Sequence, residues 1–193
     1  MLNCIKSHRD LFSSGFQFVP SGLDVGRQSL IFLSAVSPLE LYLCTQQQFN
    51  KFSWDTCPQM AHEAQQADYL FEAVVGDYVL AFTDGNWFRA KINKILPNYK
   101  VQLELVDTRG VADVNRNHLR KARVEVMKIP TLWTKSKLDS FCGREEEDAV
   151  RYGDKVKVLM KPYDEVEGVV VDMEEEEEER VARVQIPSVE SQL

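Results

Sequence analysis

The sequence predicts a β-rich α+β protein in which one small barrel is inserted into the chain of a second, with a helix joining them. Three observations predict it. Residues 75–119 (VGDYVLAFTDGNWFRAKINKILPNYKVQLELVDTRGVADVNRNHL) hold four short alternating strands between tight turns, and such strands close on themselves more readily than they stay flat. The flanks carry further strand-like runs, roughly five together, and neither flank alone has enough to close a core. Residues 46–69 carry a partial apolar stripe at helical spacing that leads into the central stretch.

The 193 residues suffice for one large domain or two small ones that share a core. With 44% apolar and 27% charged residues, the composition is that of a globular chain. The net charge of -7 disfavours direct nucleic-acid contact and suits a basic partner such as an Arg-rich peptide, although solubility alone accounts for such a charge. Cys4, Cys44, Cys57 and Cys142 are scattered, and His8, His62 and His118 are isolated, so no zinc-ligand spacing is present. The cysteines read as reduced, mostly buried small side chains in a reducing compartment. No apolar run approaches membrane-spanning length, and the start MLNCIKSHRD is too polar for a signal peptide.

Taken in order, residues 1–25 form an N-terminal segment whose Leu11, Phe12, Phe16, Phe18 and Val19 pack on a neighbour or stay half-ordered. Ser29 to Val36 is a near-continuous apolar run, the pattern of a strand buried on both faces, and Leu39 to Cys44 pairs with it across Ser37-Pro38. Gln46 to Tyr69 is helical in two pieces, the second starting near Pro58. Tyr78 to Phe82 and Trp87 to Ile95 are strands joined by an Asp84-Gly85 hairpin turn. Lys100 to Val106 and Val111 to Val114 complete the central sheet. Val124 to Ile129 either extends that sheet or leaves it. Thr131 to Phe141 buries Leu132, Trp133, Leu138 and Phe141. Lys155 to Met160 reads as an alternating strand with Val156 and Val158 inward, and Val166 to Asp172 and Arg180 to Ile186 are two more strands. Six consecutive glutamates, Glu174 to Glu179, read as a solvated, mobile hairpin tip, with an acidic lure for a basic partner as the functional alternative.

The central stretch resembles a Tudor domain. Gly76-Asp77, Phe82, Asp84-Gly85 and Trp87-Phe88-Arg89-Ala90 match the family's pattern in order and spacing, and Asp107 matches the first position of its late Asp-Tyr-Gly-Asn turn. The layout of the flanks resembles an extended Tudor domain over about residues 26–187. The resemblance implies a Tudor SH3-like barrel inserted into an OB-type, staphylococcal-nuclease-like barrel. The implied boundaries are 26–71 for the first nuclease-like part and linker helix, 72–123 for the Tudor core, 124–187 for the second nuclease-like part and 188–193 for a tail. It further implies a non-catalytic scaffold of germline small-RNA pathways, located in cytoplasmic, perinuclear granules, without cofactor. The implied partner is an Arg-rich tail of a PIWI-family Argonaute protein, with other Tudor-domain proteins as further partners. A wide cleft between the two barrels is part of the implied layout.

Tudor modules of this kind hold a methylated arginine between four aromatic walls, through cation–π attraction, with an Asn amide fixing its orientation. Carried over, the walls fall on Phe82, Phe88, Leu105 and Thr108, and the Asn falls on Gly110; Asp107 heads the turn. Two walls and the polar anchor are therefore missing. Each wall is worth about 0.5–2 kcal/mol and a hydrogen bond to a charged group about 1.5–3 kcal/mol. Their loss costs on the order of 3 kcal/mol, a hundredfold or more in affinity. Arg109 beside the turn adds a repelling cation unless Asp107 pairs it. Phe82 and Phe88 either line a shallow groove for an unmethylated peptide or serve as barrel core. Trp87 is not a cage position and is expected to pack elsewhere.

Four functions compete at this level. The first is a peptide-binding scaffold that takes an Arg-rich tail without requiring methylation, with a rearranged cage as its variant. The second is a structural module that pairs with another protein. The third, a nuclease, needs clustered carboxylates, whereas Asp24, Glu40 and Asp154 are singletons. The fourth, RNA binding, has only Lys155, Lys157, Lys161 and Tyr163 as a candidate cluster.

Overall fold

The computed structural model describes residue 18 and residues 20–70, 72–139, 154–176 and 179–193. These form two compact units. One contains Phe18, Trp54–Asp107 and Val111–Pro130; the other contains Pro20–Ser53, Thr108–Gly110 and the described part of Thr131–Leu193.

The second unit is a closed five-stranded barrel assembled from both flanks. Strands β1 (Gly26–Ser37) and β2 (Glu40–Thr45) precede the insert. Strands β8 (Thr134–Leu138), β9 (Glu165–Glu176) and β10 (Glu179–Gln185) follow it. The order around the barrel is β1-β2-β8-β10-β9, antiparallel except between β8 and β10. The apolar run of β1 is buried on both faces, from Leu30 through Leu33, as its lack of alternation predicts. Leu30, Phe32, Leu41, Leu43, Val170 and Val184 share the barrel core. Helix α1 (Gln46–Lys51) starts at a capping box: Thr45 Oγ1 accepts from the Gln48 amide, and the Gln48 side chain accepts from the Thr45 amide. A π-helical turn, Phe52–Thr56, separates it from α2 (Cys57–Gln66), which carries Pro58 in its first turn.

The first unit is a five-stranded antiparallel sheet in the order β6-β5-β4-β3-β7. Its strands are β3 (Tyr78–Thr83), β4 (Asn86–Ile95), β5 (Lys100–Leu105), β6 (Val111–Asn115) and β7 (Leu119–Lys121). The two edge strands are consecutive in the chain, joined by the 3-10 turn Arg116–His118. Helix α2 packs on β4 through Met60 and Ala64, which are buried and one helical turn apart. After β7 the chain forms a short helix, α3 (Val124–Met127), rather than another strand.

Three expectations need correction. Residues 154–159 are helical (α4), not a strand. Val156 and Met160, four apart, are buried, while Val158 is 79% exposed; the i, i+4 spacing outweighs the two-residue alternation. The glutamate run is not wholly a hairpin tip: Glu174–Glu176 and Glu179 lie in the paired strands β9 and β10, and Glu177 and Glu178 lie outside the described residues. The strands continue because cations meet them. Lys137 Nζ reaches Glu174 and Glu176 at 2.5 Å each, Lys135 reaches Glu179 at 3.4 Å, and Arg183 reaches Glu174 at 3.3 Å. Burial lowers the Lys137 pKa, but its hydrogen bonds and charge pairing with the two glutamates outweigh burial and hold it above the ordinary range. The segment expected as a tail is also packed. Helix α5 (Pro187–Glu190) buries Val189 in the barrel core.

Leu11, Phe12, Phe16, Val19, Phe141, Cys4 and Cys142 lie outside the described residues.

Met160→Ala is expected to cost about 2–5 kcal/mol, whereas Val158→Asp should stay within about 0.5 kcal/mol; equilibrium urea denaturation of both variants checks the helical reading. A second expectation concerns Asp139, whose carboxyl is held below its usual 3.8 by hydrogen bonds from Gln185 and Arg183. Because the folded-state pKa is depressed, its stabilisation is present above pH 3.8 and is lost as pH falls through the folded value. Asp139→Asn should therefore flatten the acid limb of a melting-temperature profile below pH 3.8 and leave its shape near neutrality unchanged.

Candidate functional site

The β3–β4 hairpin organises the sheet unit. Asp84 (φ 49°) and Gly85 (φ 80°) are both left-handed, the conformation of a two-residue type I′ turn. That turn fixes the register: Phe82 lies opposite Trp87 and Ala81 opposite Phe88. Directly opposed residues share a face and neighbours alternate. Phe82 and Phe88 therefore leave the hairpin on opposite sides. Leu105 lies opposite Ala90, which places it on the side of Phe88. Phe88 and Leu105 are both buried, at 8% and 7% exposure. Thr108 is buried and Gly110 half-buried; both belong to the barrel unit. The six carried-over positions thus divide: Phe88 and Leu105 share a face, Phe82 stands on the other, and Asp107 is engaged elsewhere.

Asp107 is fully buried against Arg89, also fully buried. Arg89 Nε donates to Asp107 Oδ2 at 3.0 Å, and Nη2 donates to Oδ1. The remaining N–H groups donate to the backbone carbonyls of Val126, Met127, Ile129 and Pro130. The Phe18 ring stacks on the guanidinium at 5.6 Å and meets Tyr78 edge-on. The pair is a bidentate fork with every charged donor used, the condition under which a buried ion pair is tolerated. Both oxygens of the Asp107 carboxylate are engaged by Arg89.

Phe82 instead joins an aromatic face. Its ring lies 5.4 Å from Trp87, tilted by 53°, and 6.0 Å from His118, edge-on at 88°. Arg120 extends this face. Its guanidinium stacks 3.7 Å from the Tyr69 ring and 5.3 Å from Trp87, and Nη1 donates to the Asn117 and Leu119 carbonyls. Tyr69 is 57% exposed, and Phe82 and Trp87 are half-buried. Trp87, expected to pack elsewhere, stands beside Phe82, and the placing of His118, Tyr69 and Arg120 around this face escaped the sequence reading. The two-residue Asp84-Gly85 turn was a usable signal for Trp87, since it dictates the Phe82–Trp87 pairing; nothing local marked the others.

In the barrel unit, Arg109 lies over Tyr42 at 5.0 Å and over Trp133 at 5.6 Å. The two rings meet edge-on at 5.3 Å. Tyr42 is pushed up from its usual pKa by burial and by the hydrogen bond its hydroxyl donates to Glu40. Burial pushes the Cys44 thiol up to about 12 and, with the charge of Asp107, the Cys57 thiol up to about 11, so both remain protonated at neutral pH. Lys157 pairs with Asp154 at 3.9 Å and Tyr163 packs on Phe49. Among the described residues, no group of three His, Cys, Asp or Glu side chains is placed to hold a metal ion, and no helix is long and apolar enough to cross a membrane.

The family model described as Tudor domain matches residues 27–140. This chain belongs to the Tudor domain family. Solved structures of extended Tudor domains share its fold. The TD3 domain of mouse TDRD1, in complex with a dimethylarginine-containing MILI peptide, is 21% identical, with 90% of this chain and 89% of that chain covered and a TM-score of 0.58. The human TDRD1 extended Tudor domain, in complex with a symmetrically dimethylated peptide, is 18% identical, with 94% and 88% covered and a TM-score of 0.63. A complex of Tudor with symmetrically dimethylated Aubergine gives 14% identity, 86% and 99% coverage and a TM-score of 0.59. No curated protein matches the chain at a significant level.

Asp107→Ala strands the Arg89 charge in the sheet unit. It is expected to cost about 3–5 kcal/mol, read as a lowered urea midpoint with an unchanged slope.

Proposed function

We propose that this chain is a non-catalytic peptide-binding scaffold that takes an Arg-rich N-terminal tail of a PIWI-clade Argonaute independently of arginine methylation. The observation that carries the reading is the dispersal of the cage positions. Phe82 and Phe88 leave opposite faces of one hairpin, and Leu105, Thr108 and Gly110 supply neither aromatic walls nor an amide anchor. Without a closed aromatic box, methylation gains little, because the added methyl groups meet no matching walls. The net charge of -7 favours a basic peptide. The relatives solved with dimethylated peptides, those of MILI and Aubergine among them, support peptide binding as the use of the fold. Phe82, Phe88, Leu105, Asp107, Thr108 and Gly110 are the carried-over contact positions. Of these, Phe82 is the half-exposed aromatic, and we assign the peptide to its face. A role in germline small-RNA silencing and a place in cytoplasmic perinuclear granules belong to the same proposal.

A second reading has its own observation. Phe82, Trp87 and His118 form an aromatic corner at which a rearranged cage for methylarginine would sit.

One titration separates the two. An Arg-rich peptide, unmethylated and symmetrically dimethylated, is titrated calorimetrically against the wild type and Phe82→Ala. The proposal expects affinities equal within about threefold and a loss of about tenfold in the variant. A dimethylated peptide bound about tenfold tighter or more selects the rearranged cage. No binding of either peptide overturns both readings.

A further inference from the structure

The turn Asp107-Thr108-Arg109-Gly110 contains an anomaly. Arg109 has φ 56°, in the left-handed region, although the next residue is a glycine. Side chains with a Cβ are disfavoured there, and such a conformation persists only where surrounding contacts hold it. The contacts are specific. The guanidinium lies 5.0 Å from the Tyr42 ring and 5.6 Å from the Trp133 ring, and these rings stand at 83° to one another. Arg109 Nη2 donates to the Tyr42 hydroxyl at 3.5 Å, and that hydroxyl donates to Glu40 Oε1. Two ring walls, a hydroxyl acceptor and a carboxylate behind it are the recognition elements of a flat, delocalised cation. Tyr42 and Trp133 are only 4% and 7% exposed with Arg109 in place. Tyr42, Trp133, Glu40 and Arg109 all belong to the barrel unit, whereas Phe82 and Phe88 belong to the sheet unit.

We infer that Tyr42, Trp133 and Glu40 form a guanidinium-binding socket in the barrel, and that Arg109 is its resident ligand, closing it to a partner's arginine. The socket is independent of the peptide-binding reading, since its residues are not the carried-over cage and its ligand is supplied by the chain itself. Its ligand class is the guanidinium group. An ammonium ion has neither the planar face for two rings nor the fork of donors, so lysine does not substitute.

The test removes the resident and supplies a replacement. Arg109→Gly deletes the side chain and leaves a residue that accepts φ 56° without strain, so folding is preserved. Thermal melting is followed with about 20 mM methylguanidinium and, at equal ionic strength, methylammonium. The expected result is a rise of about 2–4 °C for Arg109→Gly with methylguanidinium only, and none for the wild type, whose socket is filled. The Trp133 indole resonance, identified with Trp133→Phe, should move in the same titration of Arg109→Gly. An equal response of wild type and variant, an equal response to the two cations, or a stationary Trp133 resonance would overturn the assignment.

Discussion

The sheet unit depends on one buried ion pair. Arg89 and Asp107 are both withdrawn from water, and a charge in that position is tolerable only if its partner and its remaining hydrogen bonds are all supplied. They are supplied here by segments far apart in the chain: the Asp107 carboxylate after β5, and four carbonyls between Val126 and Pro130. Arg89 therefore fixes where β4, the end of β5 and the chain after α3 meet. The carbonyls of Val126 and Met127 lie at the end of a four-residue helix, where carbonyl oxygens gather negative potential, and are natural acceptors for a cation. The Asp107 carboxylate is thus spent on the fold.

Arginine plays three distinct parts in this chain. Arg89 is a structural fork. Arg120 is laid flat on Tyr69 beside Trp87, extending the aromatic face that holds Phe82. Arg109 is carried by a strained turn onto Tyr42 and Trp133. In the last two, aromatic rings cover the guanidinium face, an arrangement that suits its flat, delocalised charge. Lys135 and Lys137 serve instead as compact charges that neutralise the glutamate ladder of β9 and β10. A run of like charges is compatible with paired strands once each strand faces an opposite charge.

Much of the fold was legible in local pattern. The Asp84-Gly85 turn, the strands on either side of it and the two-piece helix broken near Pro58 follow from φ preferences and hydrophobic period, which are properties of a few neighbouring residues. That a barrel is built from both flanks was legible because neither held enough strands alone, but the count included residues 155–160 and missed β8, whose Thr134–Leu138 is the fifth strand. Residues 154–159 were misread because a short segment with apolar residues at 156, 158 and 160 fits either period; burial of Val156 and Met160 decided for the helix. The glutamate run was misread because its neutralising cations come from β8 and β10 rather than from the run itself.

The sequence by itself determined the family and the order of most elements, since those rest on residue identity at fixed spacing. It could not determine where each charged and aromatic side chain would find its partner. Arg109 and Asp107 are two residues apart, yet they turn to different partners, Tyr42 and Trp133 for one and Arg89 for the other. Phe82 and Phe88 are six apart and leave the hairpin on opposite faces. Such choices are set by long-range pairing and by competition for a buried charge, energies that exist only once the tertiary structure has excluded water.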